Sequence, residues 1–123
     1  MNVLESVDMK DDDEYFINLI PTIFEKYADK TDGIYITSGF STPLLKYMEE
    51  NDIDIPLVSF DIYDGIKDYM KKGVIDASIE QNVLCQMQTA FELLAEYLIS
   101  GKKPPKVVYT DIQVVLKSNM HQF

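Results

Sequence analysis

Residues 56–82 read PLVSFDIYDGIKDYMKKGVIDASIEQN, and this stretch decides the fold. It begins with the mostly apolar run 57–60, which is typical of a short buried strand and stops at Asp61. A helical pattern follows and ends at Gly73, a residue type that favours helix C-termini. Residues 74–79 then contain a second strand. A strand, a helix and a strand in this order predict a βαβ unit with parallel strands.

The same alternation continues on both sides of this unit. Upstream, a helical face is predicted from Phe16 to Tyr27, a buried strand over 34–37 and a helix from Thr42. Downstream, the longest helix begins after Asn82 and ends at Gly101. We expect it to turn five side chains inward, namely Leu84, Met87, Phe91, Leu94 and Leu98.

Two further segments have the composition of strands. Val107 to Leu116 is predicted to be extended at the end of the chain, and Val3 to Val7 is a strand candidate at its start. The whole pattern predicts an α/β fold. We expect a three-layer, Rossmann-like (flavodoxin-like) lobe with a mainly parallel sheet.

The composition limits the function classes. The chain has 123 residues, which suffice for one domain or one lobe. Its 11 Lys and Arg against 21 Asp and Glu give a net charge of −10, which repels nucleic-acid phosphates and anionic membranes. No apolar run approaches the ~20 residues of a bilayer span, and no signal peptide is visible. We therefore expect no membrane partner and no direct binding to DNA.

Catalytic motifs are not recognisable. Cys85 is the single cysteine and excludes an internal disulfide, and His121 is the single histidine. The chain contains no phosphate-binding glycine loop and no nucleophile elbow. We expect a protein that is not an enzyme and that needs no cofactor and no metal, with Cys85 as a buried structural thiol.

Polar residues follow three of the predicted strands at the points where these strands end. They are Thr37 and Ser38, Asp61, and Gln81. In parallel sheets the ligand lies beyond the carboxyl ends of the strands. The two oxygens of Asp61 suit adjacent sugar hydroxyls, and Gln81 supplies a donor and an acceptor. The alternatives are helix capping or a lysine partner for Asp61, helix capping for Thr37 and Ser38, and simple exposure for Gln81.

The order of these motifs resembles the C-terminal lobe of ribose-type periplasmic binding proteins and LacI-type transcription regulators. The best match is Val58-Ser59-Phe60-Asp61, then a helix closed by Gly73, then a strand that ends at Gln81. The long helix that ends at Gly101, followed by a final strand pair, also fits. The resemblance implies a type I periplasmic-binding-protein lobe over residues 1–123, in which 81–123 supply the hinge, the lobe-crossing helix and the terminal strands.

The resemblance also implies roles for the polar residues. Asp61 matches the sugar-binding aspartate of the family, and Gln81 matches its hinge glutamine. Thr37 and Ser38 stand where the family usually has asparagine and aspartate, so these two ligand contacts depart from the pattern. Asn82, next to Gln81, resembles the regulators more than the transport receptors.

In the family, this lobe begins with a strand and a helix that precede the segment matching Val3–Val7. In the sheet, that additional strand lies between the Val3–Val7 strand and the strand at Ile34. The resemblance therefore implies a fragment without that strand, without the N-terminal lobe and without a DNA-binding headpiece. We expect the chain to form a homo-oligomer, or its first segment to shift into the open place in the sheet. The long helix packs on the N-terminal lobe in the family, so its apolar face is expected to need another partner.

Three functions follow as hypotheses. The first is the sugar- or effector-binding part of a cytoplasmic LacI-type regulator, in which ligand-driven lobe closure controls DNA binding through an absent headpiece. The second is a periplasmic sugar-binding protein of a transport system. The third is a receiver-like signalling domain, with Asp11–Asp13 as the acidic pocket, Asp61 as phosphoacceptor and Lys103-Pro104 as the lysine–proline pair. The position of Lys103, after a helix, disfavours the third.

Overall fold

A computed structural model of the chain describes residues 2–8, 12–39 and 41–123. Its helices and strands alternate as the pattern predicts. In chain order they are α1 (Asp13–Tyr27), β1 (Ile34–Tyr35), α2 (Thr42–Glu50), β2 (Leu57–Phe60), α3 (Asp64–Lys72), β3 (Ala77–Glu80), α4 (Val83–Ser100) and β4 (Gln113–Leu116). Short 3-10 turns occur at Ala28–Lys30 and Met120–Gln122.

Capping residues set several of the helix ends. The Asp12 side chain accepts a hydrogen bond from the Tyr15 backbone N–H at 2.9 Å, which satisfies a donor in the first turn of α1. Asn82 caps α4 in the same way. Gly73 and Gly101 end α3 and α4 with φ of +85° and +73°, the left-handed conformation that glycine adopts without steric cost. These ends agree with the predictions.

The four strands form one sheet in the order β1-β2-β3-β4. β1, β2 and β3 are parallel, whereas β4 runs antiparallel to β3. The carboxyl ends of three neighbouring strands therefore lie at one edge of the sheet. The predicted α/β class and the mainly parallel sheet are confirmed.

Three helices cover one face of the sheet. Buried residues of α1, α2 and α3 form one core with Leu57 of β2 and Val115 of β4. Strand pairing places Tyr35, Val114 and Leu116 on the opposite face, because neighbours along a strand point to opposite sides. Those three side chains are exposed. Within the described residues the molecule has two of the three expected layers.

The predicted strand at Val3–Val7 is wrong. Residues 2–8 belong to no helix or strand, and they are exposed. This segment lies instead against α1, where the Tyr27 hydroxyl donates to Glu5 Oε2 at 2.6 Å. An apolar run becomes a strand only when another strand pairs with it, and here the segment contacts a helix. The expected shift of this segment into the sheet does not occur, and the expected association of copies stays a prediction.

The contact between Glu5 and Tyr27 predicts a response to acid. The hydrogen bond from Tyr27 holds the pKa of Glu5 below its usual range. A carboxyl group whose pKa is lowered by folding stabilises the fold above its unfolded pKa and loses this effect as the pH falls through its folded pKa. We therefore expect residues 3–8 to separate from α1 only when the pH falls below the ordinary titration range of glutamate. An NMR titration of Glu5 measures this directly, and Tyr27→Phe should return the midpoint to the ordinary glutamate range. An unchanged midpoint in that variant would contradict the assignment.

The end of the chain also differs from its prediction. None of the residues of α4 is buried, so the side chains expected to point inward are exposed. Cys85 is exposed as well, and the prediction of a buried thiol is wrong. Of the segment predicted to be extended from Val107, only Gln113–Leu116 pairs in the sheet. The periodicity of α4 is correct, but within the described residues no second element packs on its apolar face.

A membrane-spanning helix would need to be long and continuously apolar. Among the residues that the structure describes, no helix meets that requirement.

Candidate functional site

Loops that follow β1, β2 and β3 meet around the side chain of Asp61. Asp61 comes directly after β2, and Gln81 comes directly after β3. Gln81 Nε2 donates to Asp61 Oδ1 at 2.7 Å. On the other side, a Cβ atom added to Gly39, in the loop after β1, would lie 3.5 Å from Asp61 Oδ2. One half-buried carboxylate thus contacts or faces all three parallel strand ends.

The backbone of Asp61 is held in an unusual conformation. Its φ is +65°, in the left-handed region, where aspartate and asparagine are the best tolerated residues after glycine. The Asp61 N–H donates to the Ile79 carbonyl at 2.8 Å, and the Ser78 hydroxyl donates to the Asp61 carbonyl at 2.6 Å. Two bonds to β3 therefore fix the peptide groups on both sides of the residue. Non-glycine residues in this region are concentrated at functional sites.

The orientation of Gln81 is fixed in a similar way. Gln86 Nε2, in the first turns of α4, donates to the Gln81 carbonyl at 2.6 Å. The Asn82 N–H donates to Glu80 Oε1 at 2.9 Å. The peptide groups around Gln81 are thereby tied to both β3 and α4. These contacts fix the backbone at Gln81. The side-chain amide therefore starts from a fixed position when it reaches Asp61.

Tyr63 is a residue of this region that the sequence did not single out. Its hydroxyl donates to the Gly39 carbonyl at 3.1 Å and lies 3.1 Å from the Thr42 hydroxyl. Since the tyrosine proton goes to Gly39, Thr42 donates the second bond. Tyr63 therefore joins the loop after β2 to the loop after β1 and to the start of α2. The one feature of the sequence that could have indicated this role is the presence of a tyrosine two residues after Asp61.

We expect Tyr63→Phe to loosen the loop after β1 and leave the sheet intact. The variant keeps the ring and removes both hydrogen bonds, which together contribute about 1 kcal/mol at this partly exposed position. Hydrogen exchange measured by mass spectrometry should become faster in peptides from 36–44 and stay unchanged in peptides from β3. Tyr35→Phe, on the exposed face of β1, is the matched control. Equal exchange in both variants would argue against a joining role for Tyr63.

The other predicted site residues lie at the same edge of the sheet. Thr37 is exposed and Ser38 is half-buried, and both are in the loop between β1 and α2, just before Gly39. The structure thus brings Asp61 and Gln81 into contact and places Thr37 and Ser38 on the neighbouring loop. Binding of a ligand by any of the four stays a prediction.

The acidic pocket of a receiver-like domain has little support in the described residues. Asp11 lies outside them, and Lys103 is exposed in the segment after α4 instead of at a strand end. No group of three or more His, Cys, Asp or Glu side chains in the described ranges is arranged to hold a metal ion.

Asp61 and Gln81 are half-buried and line neither of two concavities of about 280 Å³ each, one between residues 5–8 and α1 and one between the ends of α2 and α3. A half-buried carboxylate with one oxygen engaged by an amide can accept hydrogen bonds from hydroxyl groups, and the amide oxygen of Gln81 can accept another.

Comparison with solved structures identifies the fold. A solute-binding protein of an ABC transporter from Agrobacterium vitis, bound to α-D-tagatopyranose, matches with a TM-score of 0.84 at 21% identity. The match covers 96% of this chain and 40% of that protein. A glucose-galactose binding protein from Geobacillus stearothermophilus matches with a TM-score of 0.74 at 22% identity, over 85% of this chain and 38% of that one.

A transcription regulator has the same fold. The structure of a LacI-type protein from Bacteroides fragilis, described as a putative transcriptional regulator, matches with a TM-score of 0.75 at 18% identity. The match covers 87% of this chain and 37% of that protein. No protein-family model and no curated protein matches the sequence. The predicted resemblance is thus confirmed at the level of the fold, and this chain spans about two fifths of the length of these structures.

Proposed function

We propose that this chain binds a sugar or a similar small effector through Asp61 and Gln81, as the C-terminal lobe of the effector-binding domain of a LacI-type transcription regulator. The observation that carries the proposal is the 2.7 Å contact between Gln81 Nε2 and Asp61 Oδ1 at the carboxyl ends of neighbouring parallel strands. This is the edge at which open α/β sheets bind their ligands.

The chemistry of the contact favours a polyhydroxylated ligand. Hydrogen bonds from hydroxyl groups to a carboxylate are charge-assisted and are stronger than bonds between neutral groups. The Gln81 amide holds one oxygen of Asp61 in place, so the direction of the other oxygen is set before a ligand arrives. Such preorganisation lowers the entropy cost of binding. Thr37 and Ser38 are proposed as supporting contacts from the neighbouring loop.

The length of the solved relatives argues for a second lobe. A ligand resting on Asp61 has one wall on this chain and buries about half of its surface, whereas small-molecule sites usually enclose 70–90% of their ligand. The solved relatives are more than twice as long as the matched part. We therefore expect this chain alone to bind sugars weakly, and the complete cleft to include residues from outside this sequence.

The setting of the lobe has two candidates. In the regulator, closure of two lobes would change the geometry of a DNA-binding headpiece, in the cytoplasm. In the alternative, the lobe belongs to a periplasmic sugar-binding protein of a transport system. The match to the ABC-transporter solute-binding protein from Agrobacterium vitis supports this alternative. The coding sequence upstream of Met1 separates these settings, because a helix-turn-helix pattern indicates the regulator and a signal peptide indicates the transport receptor.

Ligand binding can be tested on the chain itself by NMR. We would titrate the isotope-labelled protein with D-tagatose, D-allose, D-galactose and myo-inositol, with glycerol as the control polyol without a ring. The expected result is a shift of amide signals in the loops after β1, β2 and β3 for at least one sugar, with millimolar affinity. Absence of any shift at Asp61 and Gln81 with the whole panel would overturn the proposed site, and nanomolar binding by this chain alone would overturn the two-lobe part.

A further inference from the structure

We propose that Gly39 is a specificity-determining residue of the candidate site, because its lack of a side chain keeps Asp61 Oδ2 open to a hydroxyl group of the ligand. Gly39 lies in the loop after β1. The inference rests on the proposed sugar binding and deepens it. It states which oxygen of Asp61 faces the ligand, and it requires the ligand to present a hydroxyl donor to that oxygen.

The two carboxylate oxygens of Asp61 are in different situations. Oδ1 accepts a hydrogen bond from Gln81 Nε2 at 2.7 Å. Within the described part of the chain, no donor is bonded to Oδ2. A carboxylate oxygen accepts hydroxyl protons in charge-assisted bonds with an oxygen–oxygen distance of about 2.5–2.7 Å. Oδ2 is therefore the oxygen of Asp61 that is available to a ligand hydroxyl.

Gly39 borders this available oxygen. A Cβ atom added to Gly39 would lie 3.5 Å from Asp61 Oδ2, at an ordinary van der Waals distance. A methyl group there would cover the side of the oxygen that faces the loop after β1. A ligand hydroxyl has to approach the same oxygen more closely than that, so the two groups would compete for this space. The absence of a side chain at residue 39 thus leaves room for the ligand.

Neither backbone strain nor core packing accounts for a glycine at this position. The described glycines with positive φ are Gly73 and Gly101, so the backbone of Gly39 is accessible to other residues. Gly39 is also exposed, so a methyl group there would not disturb the core. The contact that an added side chain would make is with the Asp61 carboxylate. These observations connect the small size of residue 39 with the site and not with the fold.

Gly39 is held in place by a hydrogen bond to its carbonyl group. The Tyr63 hydroxyl donates to this carbonyl at 3.1 Å, and the Thr42 hydroxyl lies 3.1 Å from the same tyrosine oxygen. Tyr63 is in the loop after β2, as Asp61 is, so the carbonyl of Gly39 is tied to the loop that carries the carboxylate. An added methyl group therefore stays beside Oδ2 and does not move away with the loop.

Two substitutions at residue 39 test the inference in the NMR titration with sugars. Gly39→Ala should weaken sugar binding about tenfold, the effect of losing one hydrogen bond to a charged group. Gly39→Ser should weaken it about 30-fold, because the serine hydroxyl reaches Oδ2 and occupies the position of the ligand hydroxyl. Gly33→Ala is the matched control, since Gly33 is exposed before β1 and an added Cβ there meets the Pro56 carbonyl oxygen at 3.4 Å. The control should bind sugars as the wild type does, and the urea midpoint of unfolding should not fall in any of the three variants.

A second measurement does not depend on sugar binding. In the protein without ligand, Gly39→Ser should shift the NMR signal of the Asp61 carboxyl carbon, because the new hydroxyl donates to Oδ2. Gly33→Ala should leave this signal unchanged. An unchanged carboxyl signal in Gly39→Ser would overturn the inference, because residue 39 would then not face this oxygen.

The outcomes distinguish a failure of this inference from a failure of the proposed function. If the wild type binds sugars and Gly39→Ala binds them equally well, the inference is wrong and the proposed site stands. If no sugar shifts the wild-type signals, the proposed site is wrong and the inference is wrong with it.

A double variant checks that the methyl group acts through Asp61. In an Asp61→Asn background, Gly39→Ala should cause less than about a twofold further loss of affinity, since the charge on which both effects depend is already absent. A further loss of about tenfold would mean that the methyl group disturbs another contact, and it would overturn the role assigned to Oδ2.

Discussion

Leu45→Ala is expected to destabilise the fold by about 3 kcal/mol, a cost typical of a buried leucine whose removal leaves a cavity. Leu45 lies in α2 and is 0% exposed, within the core shared by three helices and the sheet. Domains of this size have a free energy of unfolding of about 5–15 kcal/mol, so the loss is a large fraction of the total. The midpoint of thermal unfolding should fall by about 10 °C.

The control for this experiment is the same substitution at an exposed position. Leu4 is 50% exposed in the segment that precedes α1 and does not belong to the core. Leu4→Ala should change the free energy of unfolding by less than about 0.5 kcal/mol. Urea denaturation followed by circular dichroism compares the two. Similar losses in both variants would mean that the core is not packed as described.

Asp61→Asn is expected to lower sugar affinity by about 30-fold with little change in stability. The substitution removes the negative charge that strengthens hydrogen bonds from hydroxyl groups, a loss of about 2 kcal/mol. Asparagine tolerates the left-handed backbone of this position, whereas alanine does not, so Asp61→Ala should additionally destabilise the fold by about 1 kcal/mol. The NMR titration with sugars measures the affinity, and urea denaturation measures the stability.

Asp54→Asn is the matched control for the charge change. Asp54 is exposed and precedes β2, whereas Asp61 follows it, so the same change is made at the opposite end of one strand. This control should bind sugars as the wild type does. If Asp61→Asn also kept its affinity, the carboxylate would not be a ligand contact, and Asp61 would serve only to orient the loops.

Local signals were sufficient to predict the central part of the fold. The strand over 57–60 is an apolar run bounded by Pro56 and Asp61, and α3 ends at Gly73 because the left-handed conformation there costs glycine little. The proximity of Asp61 and Gln81 was predictable for a geometric reason, since residues after adjacent parallel strands must emerge at the same edge. Neither inference required knowledge of distant contacts.

The features that were predicted wrongly depend on partners that no local pattern specifies. Val3–Val7 has the composition of a strand, but a strand also needs a neighbouring ladder, and Glu5 contacts Tyr27 instead. The apolar residues of α4 have the predicted helical spacing, but this spacing does not specify which element packs against them. Tyr63 was missed because its hydroxyl contacts Gly39, a residue of another loop that is 24 positions away in the sequence. No local pattern indicates such a contact.

The chain leaves the sheet after Glu80 and returns to it at Gln113, and these two residues are paired neighbours on β3 and β4. The two connections between the sheet and α4 therefore start at neighbouring positions, and a movement of α4 relative to the sheet would turn about this point. Gln81 is the first residue of one connection and holds Asp61 at 2.7 Å. We therefore expect a change in the position of α4 to act first on Gln81 and, through this contact, on Asp61.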